Sequence, residues 1–362
     1  MNSFSKILDK EYLQKSDLQR MLSCNNDEQK LLFAKAEHIR KQHIGNSVYG
    51  RALIELSNIC AKDCYYCGIR KSNKNVDRYA LDLDSIKQSI DIAIESQIGS
   101  IAIQSGELNS PTFVNSISEI VDYIHQKSPE IGITLSCGEH SKEVYKKWRE
   151  LGAERYLLRI ETSTKELYYN YHPENDNHNF EHRLKCLQHI KDTAYQTGTG
   201  VMIGLPKQKD EDLANDLVFM RDFGIHMCGM GPFIPCNDTP LENSTPTFDN
   251  VFEKSLRMIA CLRIIMPDIN IVASTAMETI HPNGRNLAIK AGANIIMPNL
   301  NPINHRKKYS LYNKKPTNEI TTIQQAIESC KVAIPEGYEL VLGEKGYSKR
   351  FKNEELRMKS EE

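Results

Sequence analysis

The chain is short of several things, and each shortage removes a class of protein. No apolar run approaches the roughly 20 residues that a helix needs to cross a bilayer. The amino end, Met1 to Lys10, is polar and lacks the apolar stretch of a secretory leader. Neither sign of charge is in excess: 46 basic and 47 acidic side chains leave a formal charge of -1. That balance supplies no electrostatic footprint for nucleic acid or for an anionic membrane. No internal repeat, low-complexity block or Pro/Gly-rich linker marks a second domain. The expected setting is the cytoplasm, where thiols stay reduced. Ten cysteines there read as metal ligands, reactive thiols or small core residues, not as a disulfide framework.

What is present is a long alternation of short and long apolar segments. The 362 residues, 40% hydrophobic and 26% charged, allow one large α/β barrel with extensions or two smaller domains. Strand patterns fall at 51–56, 100–104, 132–136, 155–160, 198–203, 227–231, 270–274 and 294–297. Helix patterns lie between them at 83–97, 113–127, 142–151, 180–193, 210–223, 249–266 and 284–291, and the stretch 163–179 is less regular. This order predicts α/β architecture: a complete (β/α)8 TIM-type barrel over 49–312, with an open doubly wound sheet as the alternative. Residues 1–48 read as two helices capped by Ser16 and Asn26, covering the barrel's N-terminal end. Residues 313–362 form a C-terminal extension whose tail, from Glu344, reads as a solvated helix or frayed end.

The most informative segment runs Leu56-Ser-Asn-Ile-Cys60-Ala-Lys-Asp-Cys64-Tyr-Tyr-Cys67-Gly68. It begins where the first strand ends, the face on which parallel barrels build active sites. Cysteines spaced by three and then two residues can curl three thiolates around one metal centre. A cubane of four irons needs four ligands and no fourth cysteine is near, so one iron would be left open. Zinc is the rival occupant, but a structural zinc site usually takes four protein ligands.

Other segments add polar groups at strand ends. Ser105-Gly106-Glu107 closes the second strand, where glycine permits close backbone approach. In Arg155-Tyr-Leu-Leu-Arg159-Ile-Glu161, strand alternation puts Arg159 and Glu161 on one face. Opposite charges facing a barrel interior must pair or meet a ligand, the plain alternative being a rim salt bridge. The glycines of 198–204 and 229–231 read as room beside a bulky ligand, not as a dinucleotide fingerprint. Thr134 and Ser136 share a face, suiting either a polar cavity or ordinary packing with hydroxyls on backbone.

The cysteine loop resembles, residue for residue, the motif of the radical S-adenosylmethionine (SAM) superfamily, Tyr66 before the last cysteine included. The resemblance implies that Cys60, Cys64 and Cys67 hold one 4Fe-4S cluster. It also implies that SAM chelates the open iron and is reductively cleaved to a 5′-deoxyadenosyl radical. Gly106 and Glu107 then resemble the motif that receives SAM's ammonium group.

Beyond the cysteines the chain resembles the HydE-type maturases of FeFe-hydrogenase, from about Val48 to Tyr312. The motifs that carry this include Arg51-Ala-Leu-Ile-Glu55-Leu-Ser-Asn58, Cys67-Gly-Ile-Arg70, Asn73-Lys-Asn75, Arg78-Tyr79 and Gln104-Ser-Gly-Glu107. Arg155-Tyr-Leu-Leu-Arg159, Gly231-Pro-Phe-Ile-Pro235, Asp238-Thr-Pro240, Thr275-Ala-Met277 and Gly292-Ala-Asn-Ile-Ile-Met297-Pro-Asn299 follow. Carried across, the resemblance places SAM against Tyr66, Gln104, Glu161 and Arg183, with Arg159 beside them. It lines a substrate cavity with Thr134, Ser136, Ser274, Thr275, Met297, Tyr309 and Tyr312. The implied substrate is a small cysteine-bound iron carbonyl cyanide made by a partner maturase. The implied partners are the other hydrogenase maturases and an electron donor such as ferredoxin or flavodoxin, with no nucleic acid and no membrane.

One departure separates this chain from some members. They carry a second cysteine group after the last strand, whereas Asn299 to Gly343 holds only Cys330 here, so no second cluster is expected. Cys24, Cys137, Cys186, Cys228, Cys236, Cys261 and Cys330 read as small apolar residues or incidental thiols. A biotin synthase-like or methylornithine synthase-like enzyme is the rival within the same chemistry. A non-catalytic iron–sulfur scaffold is the rival outside it.

Overall fold

The computed structural model describes residues 3–315 and 322–361. Residues 316–321, part of the stretch read as lacking a second cluster motif, lie outside the described residues, as do 1, 2 and 362. Seven parallel strands form the main sheet, in the order Asn270–Ile271, Met227–Cys228, Gln196–Thr199, Ala153–Leu157, Gly132–Ser136, Ser100–Gln104 and Ala52–Glu55. The order follows the chain without reversal, which excludes the doubly wound alternative. This sheet curls into a half-barrel, so the expected complete eight-stranded ring is observed in part. The remaining candidate strand, Ile295–Ile296, lies in a second, three-stranded sheet with Ser47–Gly50 and Glu339–Val341. Parallel bridges Val272–Ile295 and Leu53–Asn299 connect the two sheets.

Local chemistry accounts for the elements. The strands Ser100–Gln104 and Gly132–Ser136 are buried on both faces over most of their length, as β/α packing requires. The connecting helices start at side-chain caps: Asp82 on Leu83–Glu95, Ser110 on Pro111–Lys127, Ser141 on Lys142–Glu150 and Asn179 on Phe180–Asp192. At the amino end, Ser16 sits inside the helix Lys15–Leu22, and Asn25 caps Asn26–His43 in place of Asn26. The Asn25 side-chain amide oxygen accepts from two backbone N–H groups while Glu28 accepts from the Asn25 N–H, a reciprocal cap.

The two ends of the chain exchange the roles expected of them. The helices Lys15–Leu22 and Asn26–His43 pack on the barrel helices Asp210–Phe223 and Val251–Ile265, along the side of the barrel. The floor is closed by the C-terminal tail. Arg51, just before the strand Ala52–Glu55, and Arg155, in the middle of Ala153–Leu157, are buried, and their guanidinium groups donate to the carbonyls of Gly346 (3.0 Å) and Lys345 (2.8 Å). Asn270 donates to the same Gly346 carbonyl at 2.9 Å. Tail residues were read as solvated because their own side chains are polar; here it is their backbone oxygens that are used. Beyond them, Lys349–Glu361 is a helix tied back by Glu354 to His226 at 2.8 Å.

Deleting the chain from Gly343 onward should expose this weakness. Each guanidinium-to-carbonyl bond lost costs about 1.5–3 kcal/mol, so the truncated chain should unfold at a clearly lower denaturant midpoint. Equal midpoints would contradict the plugging role.

Candidate active site

The cysteine loop leaves the C-terminal end of the strand Ala52–Glu55 and is closed by one side chain. Arg78 donates to the carbonyls of Asn58 (2.6 Å), Ile69 (2.7 Å), Arg70 (2.6 Å) and Asn73 (3.1 Å). Those acceptors flank Cys60, Cys64 and Cys67 on both sides, so a single guanidinium gathers the two arms of the loop. From outside the loop, Asn58 is fixed by donating to Asp77 and Lys308 carbonyls at 2.9 and 2.8 Å.

The segment that looked irregular in sequence supports the loop from the other side. It forms the helix Lys165–Tyr171 and a short turn Asp176–His178. Tyr65 N–H donates to the Tyr171 carbonyl at 2.9 Å, and Asp63 N–H donates to His178 Nε2 at 2.8 Å. Burial lowers the pKa of His178 to about 4, leaving the neutral ring that an acceptor nitrogen requires. His172 is lowered by burial to about 3, and its Nδ1 lies 2.9 Å from the Tyr168 carbonyl. That contact assigns the proton to Nδ1, so Nε2 accepts from the Tyr66 hydroxyl at 3.0 Å.

The three thiols are held together under unfavourable conditions for ionisation. Burial raises all three thiols, Cys64 to about 12, and charge on neighbouring cysteines of the loop raises Cys64 and Cys67 again. Cys60 Sγ accepts from Glu107 N–H at 3.4 Å, a contact that favours the thiolate. Among the described residues, no three His, Cys, Asp or Glu side chains converge on a point where one metal ion would sit. Gly106 makes the close approach possible: a Cβ there would stand 2.3 Å from the Ile59 carbonyl oxygen.

Beside the loop lies a buried group of four charges. Glu107 is 3.0 Å from Lys62 and 3.2 Å from Arg183, and Glu139 is 2.6 Å from Lys62 and 3.1 Å from Arg183. Glu107 therefore has its carboxylate committed to two cations. Gly138, at φ 89°, belongs to this arrangement, since any Cβ would collide with Glu107 Cγ at 2.0 Å. Arg183 Nε is buried without a hydrogen-bond partner, capacity that a bound carboxylate would use. Lys62 and Glu139 were not singled out in the sequence; the only sign of them was position, one inside the cysteine loop and one just past the third strand.

Arg159 and Glu161 lie past the end of the strand Ala153–Leu157, and they pair with one another. Nε and Nη2 of Arg159 meet the two oxygens of Glu161 at 2.9 and 2.8 Å, and Arg159 also donates to Gly229 and Val201 carbonyls at 2.5 and 3.0 Å. Glu161 lies beyond the regular strand at φ 63°, a left-handed backbone costing about 1–3 kcal/mol. Its neighbours hold it there: Asp216 accepts from Ser163 N–H (2.6 Å) and Ser163 Oγ (2.7 Å).

The remaining expected positions divide. Gln104 and Ser136 are register partners and both half-buried. Thr134 is engaged by Arg155, whose Nε donates to its hydroxyl at 2.8 Å. It belongs to the floor. Ser274 carries a buried hydroxyl with no partner, and Thr275 opens the helix Thr275–Ile280 beside it. Met297 and Tyr312 are half-buried, while Tyr309 is buried with its hydroxyl raised by burial and by Glu55 and Cys67. The glycines 198 and 200 leave no room for a ligand: a Cβ would meet Leu157 at 2.8 Å in the first case and the Gly229 carbonyl at 1.9 Å in the second. The seven cysteines outside the loop are all buried, and Cys236 packs against Gly68.

Asp216 offers a pH test of the Glu161 turn. Burial pushes its carboxyl up to about 7 from 3.8, so between those values the folded chain binds more protons than the unfolded one. Stability must therefore fall as pH rises through this window. Compared with Asp216→Asn, which does not titrate, the native chain should lose stability from about pH 4 to about pH 7 and keep a constant difference above. A pH-independent difference in denaturation midpoints would refute the buried-carboxylate account.

Comparison with known proteins identifies the family. The family model of the radical SAM superfamily matches residues 54–220, and that of the Biotin and Thiamin Synthesis associated domain matches residues 231–332. The [FeFe] hydrogenase maturase subunit HydE of Thermotoga maritima is 44% identical over 282 residues, 78% of each chain. Among solved structures, methylornithine synthase (PylB) superposes with a TM-score of 0.79 at 23% identity, covering 93% of this chain and 97% of that one. The FeFe-hydrogenase maturase HydG from Carboxydothermus hydrogenoformans also gives 0.79, at 21% identity, over 96% of this chain and 81% of that one. Those two likenesses show the fold. The family implies a 4Fe-4S cluster and SAM. The chain, a radical SAM enzyme, belongs with the HydE-type [FeFe] hydrogenase maturases.

Proposed function

We propose that this enzyme acts in assembly of the two-iron site of FeFe-hydrogenase, on a small sulfur-bearing iron–cysteine complex with carbonyl and cyanide ligands. One observation carries the reading: three half-buried thiols on one loop stand beside a buried arginine with an unpartnered Nε, in a chain 44% identical to a hydrogenase maturase. The cluster, when bound, supplies the electron that cleaves SAM to methionine and a 5′-deoxyadenosyl radical.

The chain's own groups do the rest. Cys60, Cys64 and Cys67 hold three irons, and the N–H of Glu107 favours the thiolate of Cys60. Arg183 receives SAM's carboxylate, with its unpartnered Nε available. The ammonium group is received at the Gly106–Glu107 backbone, because the Glu107 carboxylate is already taken by Lys62 and Arg183. Glu161, oriented by the fork of Arg159, would bind the ribose hydroxyls, together with Tyr66 and Gln104. Ser136, Ser274, Thr275, Met297, Tyr309 and Tyr312 line the substrate cavity, with Thr134 acting through the floor below it.

Further parts of the proposal rest on topology. The Val272–Ile295 and Leu53–Asn299 bridges support closure of the sheets into one eight-stranded ring, which would keep water and oxygen from a reactive radical. A single cysteine in Asn299 to Gly343 supports one cluster only. The electron donor would be a ferredoxin or flavodoxin, and the other hydrogenase maturases would supply the substrate and take the product. Division at 1–48, 49–312 and 313–362 remains the proposed domain plan.

The test is anaerobic. Reconstituted enzyme, reduced with dithionite and given SAM, should release 5′-deoxyadenosine, and should turn over the synthetic iron–cysteine complex. Competent 5′-deoxyadenosine formation without turnover of the complex would reject the maturase substrate. Cys64→Ala should lose the iron–sulfur absorption altogether; an intact spectrum would mean that the ligand assignment is wrong.

A further inference from the structure

We propose that Lys62 and Glu139 are positioning residues: they set where the cysteine loop stands relative to Arg183, and through it the fit of SAM at the cluster. The inference deepens the site reading above and rests on it.

The four charges beside the loop form a closed ring. Lys62 contacts Glu107 and Glu139, and each of those carboxylates also contacts Arg183 through its other oxygen. The ring draws one residue from each of four segments. Lys62 lies between Cys60 and Cys64, Glu107 follows the strand Ser100–Gln104, Glu139 follows Gly132–Ser136, and Arg183 is in the first turn of Phe180–Asp192. Moving any one segment breaks two contacts. Lys62 is fixed a further time by donating to the Asn177 carbonyl, below the loop.

All four side chains are at least nine-tenths buried, with two positive and two negative charges. Burying ions this way costs desolvation that their attraction roughly repays, so such a ring is a poor source of stability. What it supplies is position. A neutral, apolar contact in its place would let the loop slide; a ring of charges with fixed oxygen-to-nitrogen distances does not. Two of its contacts lack hydrogen-bond geometry and Arg183 Nε has no partner, so the ring holds Arg183 without using up its capacity for a carboxylate. Neither Lys62 nor Glu139 needs to touch SAM for this. Their effect passes through the loop and through Arg183.

The test compares Lys62→Met, Lys62→Arg and Glu139→Gln with the native chain, each reconstituted anaerobically with iron and sulfide. Two quantities are read: the iron–sulfur absorption, and the change that added SAM makes in the electron paramagnetic resonance signal of the reduced cluster, titrated to give Kd. The native chain comes first. If its signal does not respond to SAM, the site reading itself fails and not merely this inference. Given that response, Lys62→Met should retain the absorption but bind SAM about 10–100-fold more weakly, the usual cost of removing a partner one shell out. Lys62→Arg should recover most of that loss, and Glu139→Gln should weaken SAM binding in the same direction with an altered signal shape. Should Lys62→Met fail to fold or to load iron, Glu139→Gln, which keeps size and shape, decides alone. Native Kd and native signal shape in Glu139→Gln, or in a loaded Lys62→Met, would overturn the proposal.

Discussion

Three half-buried thiols that must ionise to bind metal sit on one loop, where desolvation opposes ionisation of each and neighbouring cysteine charge opposes it at Cys64 and Cys67. Much of the surrounding structure follows from that constraint. Metal coordination deprotonates a thiol outright, so the conflict is relieved only when the loop is loaded. Before then the loop cannot be organised by its own ligands and must be held by something else. The holding is done by Arg78 from the loop's own second arm, by the helix and turn of 165–178 underneath, and by the Lys62 ring at the side. Histidines 172 and 178 serve as neutral acceptors in this scaffold, a state their burial enforces.

The barrel extends the same logic along its axis. Its upper end carries ligating and charge-bearing groups on loops, and its lower end is closed by backbone carbonyls from the tail meeting Arg51 and Arg155. Among the described residues, no helix is long and apolar enough to cross a membrane. Strain is placed at the top, in Glu161, where a left-handed backbone aims the carboxylate back at Arg159. Asp216, which is buried, accepts from the N–H of Ser163, two residues on from Glu161, and keeps that turn in place.

Much of this was legible in the sequence. The strand patterns at 100–104 and 132–136 agree with the observed bounds because both faces are buried and the apolar run is unbroken. The cysteine spacing singled out the loop, while Arg159 and Glu161, expected together from strand alternation, pair past the end of the strand through a left-handed turn that alternation does not describe. What stayed hidden depends on long-range partners. Nothing local distinguishes Lys62 or Glu139 from a solvated lysine or glutamate, and backbone carbonyls of the tail have no signature at all. The glycines 198 and 200 misled for the same reason: small residues signal close approach, but not whether a ligand or another strand approaches. Thr134 likewise has the right face and the wrong depth, its hydroxyl being claimed by Arg155. The half-barrel curvature of the main sheet depends on register and twist, which residue patterns do not encode.

The central claim is that the loop leaves one metal corner for SAM to occupy. Electron–nuclear double resonance on the reduced, reconstituted enzyme, with SAM labelled in turn at its amino nitrogen and carboxylate carbon, addresses that corner directly. Hyperfine coupling from both labels to the cluster spin is the predicted result. A cluster with native spectrum that couples to neither label would contradict the account.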